Sequence, residues 1–164
     1  MKDTRYAGII AFGFMVVLAA FTIWGTMNMK GNETEAVAMD VSGDERITEA
    51  SKLVNGKGKV VGYTVSASAP GFYQSPIKIS LTLKEDGVTI KDITVDASQE
   101  TSGVGTKVQE TEFTSTLIGK TGPFKITGSE GNGTEIDAVS QATVSSTAAI
   151  TCINTALEFI QNNQ

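Results

Sequence analysis

Between Val60 and Asp96 the polar and apolar positions alternate with a period of two, as strands with one buried face require. In "VVGYTVSASA", Val61, Tyr63, Val65 and Ala67 fall on one side. After a turn at "PGFYQSP", the stretch "IKISLTLK" sets Ile77, Ile79, Leu81 and Leu83 against Lys78, Ser80, Thr82 and Lys84. Glu85-Asp86-Gly87 is a hairpin signal. The return strand "VTIKDITVD" changes phase between Ile90 and Ile93, which predicts a bulge. The pattern predicts an antiparallel meander with one buried and one wet face.

Elsewhere the period lengthens. "SGDERITEASKLVNG" begins with Ser42 and Glu45 at capping-box spacing, with Ile47, Ala50, Leu53 and Val54 at helical intervals and Gly56 as a stop, and so predicts a short packing helix. "KVQETEFTSTLIGK" predicts a weak helix with Val108, Phe113, Leu117 and Ile118 as apolar contacts, and "GPFKITG" predicts a short strand. Two polar loops, Ser98 to Thr106 and Ser129 to Asp137, flank these pieces. The chain ends in a helix whose stripe is Ala149, Ile150, Ile153, Ala156, Leu157 and Ile160, with Cys152 beside it as a small packing residue.

One apolar run has no such periodicity. From Ala7 to Met27 there is no charge, and at about 1.5 Å per residue the run matches the roughly 30 Å of a bilayer core. Tyr6 and Trp24 sit near its ends, where aromatic rings favour the interface. Lys2 and Arg5 precede it, so the expected arrangement is a single-pass cell-membrane anchor with a cytoplasmic N-terminus and the remainder outside the cytoplasm. Cleavage after the small residues near Ala19 is the competing reading, but the run continues through Phe21, Ile23 and Trp24. The expected fold class is therefore α+β. One transmembrane helix within residues 1–29 leads through a linker and short helix (30–58) to a compact domain (59–164), built of an antiparallel sheet and packed helices.

Composition narrows the chemistry. A net charge of −5 gives no basic face for nucleic acid. With no His and one Cys, the His/Cys metal sites, the Ser-His-Asp and Cys-His arrangements and an intrachain disulfide are all excluded. No dense carboxylate loop indicates a metal site, and no catalytic residue is assigned. What stands out is the start of the last helix, where Ser140, Thr143, Ser145, Ser146 and Thr147 fall within eight positions. Simple capping explains one or two of them, because side-chain oxygens accept bonds from free first-turn N–H groups. A phosphate-bearing ligand is the other reading, since the same N–H groups and the positive end of the helix dipole attract anions.

"DAVSQAT", Asp137 to Thr143, resembles the flavinylation motif of the FMN-binding domain family: Asp, two variable residues, Ser or Thr, usually Gly, then Ala and Thr or Ser. In that family a flavin transferase joins FMN through its phosphate to the last hydroxyl, which corresponds to Thr143. Asp137, Ser140 and Ala142 also match. Gln141 stands where Gly is usual, at a position where Gly would serve a backbone of positive φ or a close approach of the transferase. "ETSGVGT", Glu100 to Thr106, is similar to the family's Glu-Thr-Pro-Gly-Leu-Gly loop, and "GFYQSPIKISLTL" resembles its Gly-aromatic stretch and following strand. The resemblance implies that Glu100, Thr101, Gly103, Gly105 and Thr106 help to bind the cofactor. The alternative for the two glycines is a plain surface turn.

An anchor joined to an external FMN domain resembles the G subunits of Rnf complexes and the related C subunits of sodium-pumping NADH:quinone reductases. The resemblance implies an electron-transfer subunit with covalent FMN in an ion-translocating ferredoxin:NAD oxidoreductase. It would relay electrons without being catalytic alone, and its partners would be other membrane subunits, a flavin transferase during maturation, and membrane lipid. A stand-alone extracytoplasmic electron carrier and a cofactor-free surface binding module are the alternatives.

Overall fold

The structure, a computed structural model, describes residues 34–72 and 76–164; the expected anchor, Ala7 to Met27, lies outside the described residues. Among the described residues no helix is long and apolar enough to cross a membrane. Five antiparallel strands follow one another across a single sheet in chain order. These are β1 (Thr34–Ala38), β2 (Ile47–Asn55), β3 (Val60–Pro70), β4 (Pro76–Leu83) and β5 (Ile90–Asp96).

The meander read from β3 to β5 forms as its alternation requires. Tyr63, Val65 and Ala67 face the core beside Leu83, Leu81 and Ile79, and Ile93 and Val95 continue the layer. The expected bulge is present in β5: Leu83 faces Ile90 while Thr82 faces Asp92, which makes Lys91 the extra residue. The other face carries Thr64, Ser66, Ser80, Thr82 and Thr94.

The expectation for residues 42–56 is corrected, since Ile47–Asn55 is strand β2 and not a helix. Two register shifts explain the misleading spacing. The first, between Ile47 and Glu49, stretches a period of two so that Ile47 and Ala50 both face the core opposite Ala67 and Val65. Leu53 then belongs to the opposite face, opposite Gly62. A Cβ on Gly62 would stand 2.6 Å from the Leu83 carbonyl oxygen and 3.6 Å from Leu53 Cδ1, so the strand needs glycine there. Instead of a capping box, Asp44 organises the turn, accepting the Arg46 N–H at 3.0 Å and pairing with its guanidinium at 2.6 Å. The linker expectation is also corrected in part, because Thr34–Ala38 forms the exposed edge strand β1.

After β5 come a 3-10 turn (Gly105–Gln109), the single-turn helix α1 (Thr111–Thr114), and two short parallel strands, β6 (Phe124–Ile126) and β7 (Thr134–Ile136). Val108, Phe113 and Leu117 are buried as expected, but Ile118 is exposed because α1 ends before the helical spacing reaches it. Strand β7 occupies part of the segment read as a polar loop. The final helix, α2 (Thr143–Asn162), lies mainly on β3 and β4. All six stripe residues are buried, and each fully buried Leu or Ile contributes roughly 1.5–3 kcal/mol. Asn154 in mid-helix fixes β6 to α2, accepting the Phe124 N–H at 2.8 Å and donating to its carbonyl at 2.7 Å. Cys152 is buried in this layer, and burial pushes its thiol up to about 12, the behaviour of a packing residue.

Candidate functional site

Three segments far apart in sequence meet where α2 begins. The first is Gly71-Phe72, just after β3. The second is the loop Glu100–Thr106, and the third is the turn into α2.

The loop is shaped by its own backbone. The Thr101 carbonyl accepts from the N–H groups of Val104 (3.1 Å) and Thr106 (3.2 Å), and the Gly103 N–H donates to Thr106 Oγ1 at 2.9 Å. Gly103 has φ 71°, with nothing near its virtual Cβ, so it serves a turn that an L side chain would strain. Gly105 is glycine for a different reason. A Cβ there would stand 2.7 Å from Ser145 Oγ, 2.8 Å from Glu100 Cβ and 3.0 Å from Glu100 Oε2. The missing side chain lets the loop close against α2.

Glu100 sits in that closure at only 6% exposure. Its two carboxylate oxygens accept from the Phe72 N–H at 3.0 and 3.3 Å, and Oε2 accepts the Ser145 hydroxyl in a short hydrogen bond. The ring of Phe72 remains 54% exposed, and Val144 at the helix start 52% exposed, so apolar surface faces solvent at this corner.

The turn into α2 runs from Val139 to Ala142, closed by the Ala142 N–H on the Val139 carbonyl at 2.9 Å. Gln141 has φ 65°, the only non-glycine among the described residues in that region. A positive φ at the third residue is the type II arrangement, which favours glycine. This is the physical reason why a glycine suits this motif position.

The hydroxyls separate into two groups. Ser145 and Ser146 are buried, Ser145 on Glu100 and Ser146 accepting the Val139 N–H at 3.0 Å. Thr147 returns its hydroxyl to the Thr143 carbonyl at 2.8 Å, while Ser140 and Thr143 are exposed. The N-cap is Ala142, which has no side-chain oxygen, so the simple-capping expectation is corrected: none of the hydroxyls caps α2. The first-turn N–H groups are left to solvent or to an anionic ligand. Asp137, exposed, accepts from Thr127 Oγ1 at 2.8 Å, and Ala142 is buried.

Glu100 and Gly105 are thus brought against the helix start, while Thr101, Gly103 and Thr106 bond among themselves on the outer side of the loop. Sequence reasoning missed Ser145 and Phe72 as members of the site. Ser145 had a usable signal, lying four residues before Ala149 of the apolar stripe.

The buried carboxylate of Glu100 thus joins Phe72 to an uncapped, hydroxyl-bearing helix start. The family model described as the FMN-binding domain matches residues 73–158, more than half of the 164-residue chain, and the chain belongs to that family. The resemblance read from the three motifs is therefore borne out. The G subunit of the ion-translocating oxidoreductase complex of Methanosarcina acetivorans is 31% identical over 109 residues, covering 66% of this chain and 56% of that protein. The G subunit of the Na⁺-translocating ferredoxin:NAD⁺ oxidoreductase complex of Acetobacterium woodii is 31% identical over 140 residues, covering 79% and 64%. The chain thus spans about three fifths of the length of these relatives.

Two solved structures share the fold. NqrC of Shewanella oneidensis superposes with a TM-score of 0.54 at 22% identity, covering 70% of this chain and 61% of that one. The C subunit of the Na⁺-translocating NADH-quinone reductase of Parabacteroides distasonis gives 0.52 at 18% identity, covering 66% and 59%.

Proposed function

We propose that this chain is a membrane-anchored electron-transfer subunit that carries FMN as a phosphoester on Thr143, within an Rnf-type ion-translocating ferredoxin:NAD oxidoreductase complex. The observation that carries the reading is the state of Thr143. It stands exposed at the first position of a helix whose N-cap offers no oxygen, while the neighbouring Ser145, Ser146 and Thr147 hydroxyls are engaged. The donor set fits a phosphate monoanion: one free hydroxyl for attachment and a helix N-terminus whose N–H groups and dipole favour negative charge.

Bound FMN supplies reversible electron transfer, and the protein supplies placement, shielding and electrostatics. Thr143 would hold the phosphate, with Ser140, Asp137 and Ala142 presenting the acceptor segment to a flavin transferase. Phe72 and Val144 would offer apolar surface to the ring system. On this reading the chain's residues hold and place the cofactor, which carries the redox chemistry. The apolar run Ala7 to Met27 anchors the domain in the lipid bilayer on the extracytoplasmic side, next to other membrane subunits of the complex.

The test is intact mass and in-gel fluorescence of protein made with a flavin transferase. The chain should gain FMN less one water and fluoresce after denaturation, and Thr143→Ala should lose both signals while staying folded. Covalent flavin on the folded Thr143→Ala protein would refute the assignment.

A further inference from the structure

We infer that Glu100 is a positioning residue whose buried carboxylate latches the Phe72 segment to the first turn of α2, so that the aromatic ring and the Thr143 acceptor are held in one arrangement before any cofactor is attached. The consequence for flavin attachment rests on the FMN reading above; the latch itself rests on geometry alone.

A carboxylate taken out of water is strongly unfavourable unless donors replace its hydration. Here the donors come from both sides. The Phe72 N–H is 28 residues away in sequence and the Ser145 hydroxyl is 45 residues away. The end of α2 that Ser145 belongs to presents a positive dipole, which favours an anion beside it. The loop admits this contact only because Gly105 lacks a Cβ.

With both oxygens engaged inward and 6% exposure, Glu100 has little surface to give a ligand. Its action on the cofactor is therefore through Phe72 and α2. Ser145 is the matching half: its hydroxyl goes to the latch, and with Ala142 at the N-cap no side chain closes the helix start.

The experiment uses the full chain and compares Glu100→Gln, Glu100→Ala and Ser145→Ala. Hydrogen exchange at the Phe72 amide in the unflavinylated protein reads the latch directly. Steady-state flavinylation by a flavin transferase reads its consequence. Glu100→Ala and Ser145→Ala should speed Phe72 exchange about 10-fold or more as the local opening becomes easier. If the transferase takes only the assembled arrangement, KM for the chain rises in proportion as that population falls, with kcat nearly unchanged, and reaches about 10-fold only in a variant that leaves the latch about one-tenth assembled. Glu100→Gln keeps an acceptor for Phe72 and a polar partner for Ser145, and should stay within about threefold of the parent on both measures.

If Glu100→Ala does not fold, Ser145→Ala, which removes one hydroxyl, decides the matter. Unchanged Phe72 exchange and unchanged KM in folded Ser145→Ala would overturn the latch. A parent chain that takes no flavin would sink the FMN reading instead, and the exchange measurement would still decide on the latch.

Discussion

Replacing Gln141 by glycine should stabilise this protein, an unusual direction for a substitution that removes a whole side chain. Gln141 sits at φ 65° in the turn that leads into α2. An L residue in left-handed backbone is less stable by roughly 1–2 kcal/mol, because its Cβ crowds the following carbonyl. Glycine escapes that crowding but loses more chain entropy on folding, about 0.5–1 kcal/mol. The difference, about 0–1.5 kcal/mol and centred near ~0.75 kcal/mol, leaves Gln141→Gly the more stable. For a domain of this size that corresponds to a rise in Tm of about 2–5 °C.

The side chain itself is exposed, so its removal should leave no cavity to offset the gain. Gln141→Ala is the informative control, since it trims the side chain and keeps the Cβ. It should lie within about 0.5 kcal/mol of the parent, as exposed substitutions usually do. Gln141→Val adds β-branching in the same backbone and should fall below both. Urea unfolding of the four proteins, with m-values compared to exclude a change in the unfolded state, measures the series. A glycine variant no more stable than the alanine variant would refute the strain argument, and with it the account of why this motif position suits glycine.

Gly105→Ala should cost about 1–3 kcal/mol, because its Cβ would meet Ser145 Oγ at 2.7 Å and Glu100 Cβ at 2.8 Å. Gly103→Ala, strained in φ but with open space, should lose only about 1 kcal/mol, and equal losses at the two positions would contradict the roles given to them. Asp86 provides a pH test. Burial pushes its carboxyl up, but bonds from the Thr89 hydroxyl and the N–H groups of Val88 and Thr89 outweigh this and hold it below the usual carboxylate range. A depressed folded-state value means the stabilisation is present above the ordinary value and disappears as pH falls through the folded one. Urea midpoints of the parent should therefore drop between about pH 5 and pH 2 more than those of Asp86→Asn, and parallel curves would show that Asp86 contributes nothing.

Where one side chain in two was apolar and the ladder was regular, the fold was legible. Strands β3 and β4 and the Asp86-Gly87 hairpin follow directly from that alternation, and the phase slip near Lys91 announced its bulge. β2 was misread because a bulge at its start turned a period of two into a spacing of three, so that Ile47 and Ala50 counterfeited one helical face. β1 had no apolar alternation to read, being an edge strand of small and polar residues whose order comes from backbone pairing with β2. The β6–β7 pair was half visible: Phe124 and Ile126 marked one strand, but Ile136 alone was too little to reveal the other. The tie between Asn154 and Phe124 spans 30 residues and has no local signature.

The helix start was legible in a way the motif alone does not convey. Running the apolar stripe of α2 backward by four residues from Ala149 and Ile150 reaches Ser145 and Ser146. Both are buried in the structure, although both are polar. Steps of three reach Thr147 from Ile150 and Thr143 from Ser146, yet the structure has both exposed. Periodicity nominates Ser145 and Ser146 as the inner pair but does not by itself separate them from Thr143 and Thr147, a division the structure makes. It does not reveal what the inner pair bonds to, because Glu100 and Val139 reach those serines through a loop closure and a tight turn that hydrophobic pattern does not encode. That division also limits what each residue can do. A serine on the core side, bonded to a buried carboxylate, can set the position of the helix. A threonine on the outer side keeps its side chain at the surface, as Thr143 and Thr147 do.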